Sequence, residues 1–334
     1  MQILAFRRRV QALDERLPPG ATSIRRAAWA GLQDSMPRAA LLSLHARVEG
    51  IGPTGWEDPE LVQLWGPRFS AYVVPRRDLA LFSLGRYPEN PRRRRRSEDM
   101  AASLESFLQG RSMSATDIGL GLGVDPNELR YAAPTGRVLI RWDGARQPTV
   151  WMVPAPEMDV ATARLELARR HLHIFGPTTA DAFSDWAGIK PPVATAVFEE
   201  LAGSLTSVRT PIGHGWILAA DEAVFRAPTL ASGVTRLLPS GDTYFLLQGA
   251  ARELLVPDPT SRSLLWTSRV WPGAVLVAGE LAGTWRRAGA VVTVETWGRL
   301  SRAERESVEA EAASMPLPGI NQQIVVRWLD VELR

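Results

Sequence analysis

Ser114-Ala115-Thr116-Asp117-Ile118-Gly119-Leu120-Gly121-Leu122-Gly123-Val124-Asp125-Pro126 is the stretch whose reading decides the fold. A hydroxyl residue with an acid three positions on has the form of a helix start, and Ile118, Leu120 and Leu122 lead from it to a Gly-apolar-x-Pro turn. The same device recurs 65 residues later, where Thr178-Thr179-Ala180-Asp181 leads through Phe183 and Trp186 to Gly188-Ile189-Lys190-Pro191. Apolar spacing predicts a longer helix before each copy, over 98–109 and 160–175, and another after it, over 127–132 and 193–202. Each copy then ends in a pair of strands. Those at 137–142 and 149–153 enclose Asp143-Gly144, a hairpin signal, and those at 205–210 and 215–219 enclose Gly213. Three helices with a short turn between the last two, followed by a hairpin, are the winged-helix form of helix-turn-helix. The repeat therefore predicts two such units in tandem, at 97–156 and 157–228. Winged helices often read nucleic acid, and many copies serve instead as spacers or protein contacts.

Working outward, residues 1–17 read as a basic amphipathic helix stopped by Pro18-Pro19-Gly20, with further helices at 24–32 and 40–48. After a turn-rich connection at 50–59 come a short helix at 60–65, a strand at 70–74 and a helix at 77–84. Residues 1–91 then form a third, more divergent winged-helix-like unit. The run Arg92-Arg93-Arg94-Arg95-Arg96 reads as a linker, extended because five like charges repel. A plain solvated linker and a set of phosphate contacts both stay open for it. Residues 229–334 carry strand patterns at 235–238, 244–247, 254–256, 274–277, 281–285, 291–296 and 323–329. A helix from the capping box Ser301/Glu304 to about 313 completes a mixed α/β domain. The class is α+β.

The chain has 334 residues, 45% of them hydrophobic, enough for more than one core. It has no cysteine, which excludes disulfides, thiolate metal sites and a thiol nucleophile. No metal or cofactor motif is present. No apolar run reaches spanning length, and residues 1–9 lack a signal-peptide core, so the expectation is a cytoplasmic, nucleoid-associated monomer with no membrane contact. The formal net charge is only +3, yet residues 1–96 hold 17 arginines against nine acids. The other segments are neutral to slightly acidic. This asymmetry points to a polyanion partner. Every basic residue but Lys190 is arginine, which suits GC-rich coding as well as phosphate contacts.

The segment Gly31-Leu32-Gln33-Asp34-Ser35-Met36-Pro37-Arg38 sets three hydrogen-bonding side chains in a row between helical patterns. Read locally, it is either a capping turn, with Asp34 or Ser35 as N-cap and Pro37 in the first turn, or a site on rigid elements. With it, several segments resemble the winged-helix DNA-binding family that includes the AlkZ-type DNA glycosylases. They are Gly31-Leu32-Gln33 with Pro37-Arg38 and Ala46-Arg47, Pro134-Thr135-Gly136-Arg137 with Arg141-Trp142, and Phe175-Gly176-Pro177-Thr178 with Trp186-Ala187-Gly188. Arg236-Leu237-Leu238-Pro239 with Asp242, and Trp271-Pro272-Gly273 with Gly283-Thr284-Trp285-Arg286-Arg287, continue the series. The resemblance spans nearly the whole chain and implies tandem winged helices around a concave DNA-binding face, excision of N7-alkylated purines, bulky or crosslinked adducts included, and no cofactor. Family glycosylases carry Gln-x-Gln, or Gln-x-Asp in a sister branch, where this chain has Gln33-Asp34-Ser35. Gln33 matches the first position, Ser35 replaces the second amide or carboxylate, and Asp34 stands where an apolar residue is usual.

The catalytic candidates are therefore Gln33, Asp34 and Ser35, with His45 and Asp242 as further cleft candidates. Arg38, Arg92 to Arg96 and His214, at a hairpin tip between glycines, are the DNA-contact candidates. His171 and His173 lie two apart in a predicted helix, a spacing that does not suit a metal pair, and are expected one packed and one exposed. Tyr131 and Trp142 are expected in a core. A non-catalytic DNA binder, acting as regulator or lesion sensor, and a protein-interaction scaffold are the rival readings.

Overall fold

The computed structural model describes residues 2–144, 147–229 and 233–329. Helix α1 (Gln2–Val10) is shorter than expected. The chain leaves it through Ala12 (φ 53°), and Leu17 bridges to Val48. The helix is held by burial of Phe6 and Val10 against Ile217. Its arginines are structural: Arg7 donates to the carbonyls of Phe175 (2.8 Å) and Gly176 (3.1 Å), and Arg8 donates to Asp14 and to the Gly279 carbonyl. With Arg47 and Arg86 also buried, part of the basic surplus of the first 96 residues serves packing rather than a partner.

There follow α2 (Ala21–Ala27), β1 (Leu32–Gln33), α3 (Ala39–Arg47), β2 (Leu61–Trp65), β3 (Ala71–Pro75) and α4 (Leu79–Ser83). The predicted helix at 24–32 stops at Ala27, and Gly31 (φ 70°) turns the chain into β1. The predicted helix at 60–65 is strand β2. A short run buried on every side reads alike as helix or strand, and pairing with β3 decides it. The sheet order is β1-β3-β2, with Gln33 opposite Tyr72.

The arginine run is not an extended linker. It opens helix α5 (Pro91–Leu108), where the Asn90 side chain accepts from the backbone N–H groups of Arg92 and Arg93. Capping, the buried stripe Ala101, Leu104 and Leu108, and ion pairs of Arg95 with Asp99 and Arg96 with Glu128 outweigh the repulsion. Strand β4 (Met113–Ser114) leads into α6 (Ala115–Leu122), capped by Ser114 as its sequence predicts. The helix expected at 127–132 is a 3-10 helix over Pro126–Thr135. The hairpin β5 (Val138–Arg141) and β6 (Thr149–Met152) then completes a sheet of order β4-β6-β5.

The second copy runs α7 (Val160–Phe175), α8 (Ala180–Ala187), α9 (Pro191–Leu201), β7 (Leu205–Thr210), β8 (Gly213–Leu218) and α10 (Glu222–Arg226). Thr179 caps α8, and Gly188 (φ 73°) ends it. The remaining elements are β9 (Thr235–Leu238), α11 (Pro259–Leu265), β10 (Gly273–Val277), β11 (Glu280–Ala288), β12 (Val291–Thr296), α12 (Arg302–Ala313) and β13 (Val325–Leu329). The five strands order as β13-β12-β11-β10-β9, antiparallel except for β12 with β13. The strands expected at 244–247 and 254–256 are absent. Those residues form turns and a 3-10 helix (Gly249–Leu254) that drop Phe245, Leu247, Leu255 and Val256 into the main core. Buried on all sides, they have no sheet edge to join. That core takes Leu13, Leu139, Leu167 and Leu238, one from each predicted segment. Among the described residues no helix is long and apolar enough to cross a membrane.

Candidate functional site

The segment between β1 and α3 is built on Asp34. Its backbone N–H continues the sheet by donating to the Ala71 carbonyl at 2.8 Å. Its carboxylate turns inward, 2% exposed, where Oδ1 accepts from the Ala40 N–H at the start of α3 (3.0 Å) and Oδ2 accepts from Gln63 Nε2 (2.7 Å). Gln63 Oε1 in turn accepts the Trp142 N–H at 2.6 Å. This acceptance sets the amide so that Nε2 faces Asp34, which must then be an acceptor. Burial pushes the Asp34 carboxyl up to about 6, against the pull of the Ala40 N–H, Arg38, Gln63 and Arg141. The Asp34 carboxylate thus holds a first-turn N–H of α3, but the N-cap position belongs to Arg38 (φ 66°) and Pro37 lies before the helix, so neither Asp34 nor Ser35 is the expected N-cap; the Asp34 side chain is not in the cleft.

With Asp34 turned in, its neighbours Gln33 and Ser35 turn out into a cavity of about 340 Å³. Gln33 Nε2 donates to Ser35 Oγ at 3.1 Å, the sole hydrogen bond of the Gln33 side chain among the described residues. Tyr72 and Trp186, both buried, line the cavity with Met36, Leu246 and Trp271, and Arg68 and Arg269 bring positive charge. Gly241 (φ 77°) closes on Gln33: a Cβ there would lie 3.2 Å from Gln33 Cδ. Its turn is anchored by Asp242, which accepts two bonds from Arg47 (both 2.7 Å), one from Ser43 Oγ (2.7 Å) and one from the Tyr244 N–H (2.9 Å). Asp242 is therefore not a cleft residue. It is a buried anchor that ties the turn to α3.

His45 is also absent from this cavity. Its ring meets Ser314 Oγ at 3.1 Å beside Arg16, and burial with Arg16 and Arg236 lowers it to about 4. Arg38, half-buried, lies 4.4 Å from the Trp56 ring centroid, and Arg141 lies 3.8 Å from the same ring. Arg92 to Arg96 are exposed on α5, and His214 is exposed on the β7–β8 hairpin opposite Arg209. His171 is buried as expected, but His173 is half-buried on Asp221 at 2.9 Å. Tyr131 and Trp142 are half-buried rather than core residues. Trp285 is buried and donates to the Leu238 carbonyl at 2.8 Å. Among the described residues no group of three or more His, Asp or Glu converges as a metal site would require.

Gln63 and Trp56 escape a motif search, yet together they fasten the first hairpin to the Gln33 turn. A signal for Gln63 was present: it is the lone polar residue in Leu61-Val62-Gln63-Leu64-Trp65. A buried amide in such a run needs a partner for each of its ends.

The chain matches the family described as DNA glycosylase AlkZ-like over residues 26–316. The structure of Streptomyces sahachiroi DNA glycosylase AlkZ superimposes with a TM-score of 0.79, covering 98% of each chain at 18% identity. No curated protein sequence matches.

Proposed function

The chain belongs to the DNA glycosylase AlkZ-like family, and on that premise we propose that it hydrolyses the N-glycosidic bond of N7-alkylated purines in double-stranded DNA, with Gln33 placing the water. The observation that carries this reading is the Gln33–Ser35 pair. Ser35 holds Nε2 and leaves Oε1 available in the cavity to accept from a water.

The chemistry asks for little more. Alkylation at N7 makes the purine cationic, so the C1′–N9 bond breaks with its electron pair going to the base, and no general acid is required. Positive charge grows on C1′ and the ring oxygen. The water attacks C1′, and its proton passes to solvent as the new C–O bond forms, since an amide oxygen orients a water without keeping its proton. The apolar wall of Met36, Leu246 and Trp271 suits substituents larger than methyl, bulky or crosslinked adducts among them. In this reading the two repeat units act as winged helices, Arg68 and Arg269 meet phosphates near the lesion, and Arg38, Arg92 to Arg96 and His214 extend the contact. The working form is a monomer associated with the nucleoid.

Incubation with duplex DNA carrying N7-methylguanine tests the reading. Abasic sites should form above the spontaneous background, and Gln33→Ala should abolish them while sparing duplex binding. Loss of both together would make Gln33 structural. Ser35, shorter than a second amide and uncharged, favours one rival, a DNA binder without chemistry. Binding that weakens steeply with salt, without base release from methylated or bulkier lesions, would establish that rival.

A further inference from the structure

A second cavity of about 310 Å³ lies across the turn at Pro67–Phe69, and the excision reading uses only its Arg93 and Arg96, as backbone contacts, and leaves its aromatic lining without a role. Arg68 (φ 56°) and Phe69 (φ 59°) both adopt the left-handed backbone, which is strained for side-chain-bearing residues and persists mainly where a site requires it. Arg68 lines the first cavity and Phe69 the second. Three aromatic rings (Phe69, Tyr87, Tyr131) line this second cavity with five cationic side chains, among them Arg93, Arg96 and Lys190.

The side chains pack on one another around Tyr131. The Arg96 guanidinium lies 3.6 Å from the Tyr131 ring centroid, and Phe69 meets Tyr131 edge-on at 5.6 Å. The frame beneath is rigid, because Arg86 donates to the carbonyls of Ala187 and Trp65 while Arg164 donates to Glu89 and to the Tyr87 carbonyl. Arg93 and Lys190 make no ion pair among the described residues. The first amides of α5 are spent on Asn90, so attraction for an anion here comes from side chains rather than from the helix end. Aromatic rings and a guanidinium plane stack a planar base, and free cations beside them hold a phosphate.

We propose that this cavity binds a nucleotide unit, an aromatic base with its attached phosphate, as a site separate from Gln33. The proposal draws on the DNA-acting reading only for one source of that nucleotide, an unpaired residue of the bound DNA. The other source is a free mononucleotide.

Lys190 is the only lysine in the chain, so acylation of its amine by sulfo-NHS-acetate, read by peptide mass spectrometry, reports on this cavity alone. Free dGMP should slow that acylation about tenfold where equal inorganic phosphate does not, as stacking requires. If the nucleotide must come from DNA, a duplex with a single-stranded tail protects while a blunt duplex does not. Arg96→Ala, at an exposed position, should remove the protection, and Gln33→Ala should keep it whether or not base excision occurs. The proposal is overturned if neither dGMP nor tailed duplex protects, if phosphate or blunt duplex protects equally well, or if Arg96→Ala leaves protection intact.

Discussion

Replacing Gln63 with leucine isolates the link between the first hairpin and the Gln33 turn. Gln63 is buried and satisfies two groups, the Trp142 N–H (2.6 Å) and Asp34 Oδ2 (2.7 Å). Leucine fills similar space and satisfies neither. Each orphaned group costs about 1–3 kcal/mol, and the apolar side chain returns roughly 1 kcal/mol, for a net loss of about 3 kcal/mol at pH 8. The loss should depend on pH. The folded-state Asp34 carboxyl is already raised to about 6 from 3.8, so protonation favours the folded state below the lower value, and that contribution disappears as pH rises through about 6. Without the Gln63 donor the carboxylate is less supported and its folded value rises further. Each further pKa unit by which it rises costs about 1.4 kcal/mol at pH 8 and less at pH 5. Urea unfolding of both proteins at pH 5 and pH 8 measures this directly. Base release should fall at least about tenfold, because the Gln33 amide proposed to place the water loses its fixed support. A stability loss under about 1 kcal/mol, or one equal at the two pH values, would refute the network.

Asp242→Ala leaves the Arg47 guanidinium buried without its carboxylate and should cost about 3–5 kcal/mol in denaturant unfolding; a near-neutral result would show that the pair does not hold the turn. Gly241→Ala forces a side chain into a φ of 77° and presses a Cβ on Gln33, so stability should drop by about 1 kcal/mol while base release drops much further with duplex binding intact. Parallel loss of binding and release would contradict that geometry. Ser35→Ala removes the partner of Gln33 Nε2 at an exposed position, so the melting temperature should stay fixed while base release slows; an unchanged rate would mean that Ser35 does not orient the amide.

Local signals in the chain determined where several of its helices begin. Ser114 and the Ser301/Glu304 box cap the helices they were expected to cap, and at α8 the cap is Thr179, one residue after the expected Thr178, since a cap is a contact made within one turn of chain. The helix at 160–175 and the strands at 205–210 and 291–296 likewise carry their own periodicity. The same local chemistry marked Gln33, Asp34 and Ser35 as notable, without saying which way each side chain points. Tertiary structure decided that, along with every feature whose partner is distant in sequence. Asp34 turns inward because Ala40 and Gln63 converge on it, and Asp242 is an anchor because Arg47 reaches it across 195 residues. The run 61–65 became a strand because β3 lay beside it, while 244–247 found no edge and became core. Like-charge repulsion favoured an extended arginine run, but burial of one face of α5 outweighed it. Pairing, burial and charge compensation depend on what the rest of the chain brings within a few ångströms, and a stretch of sequence does not carry its neighbours with it.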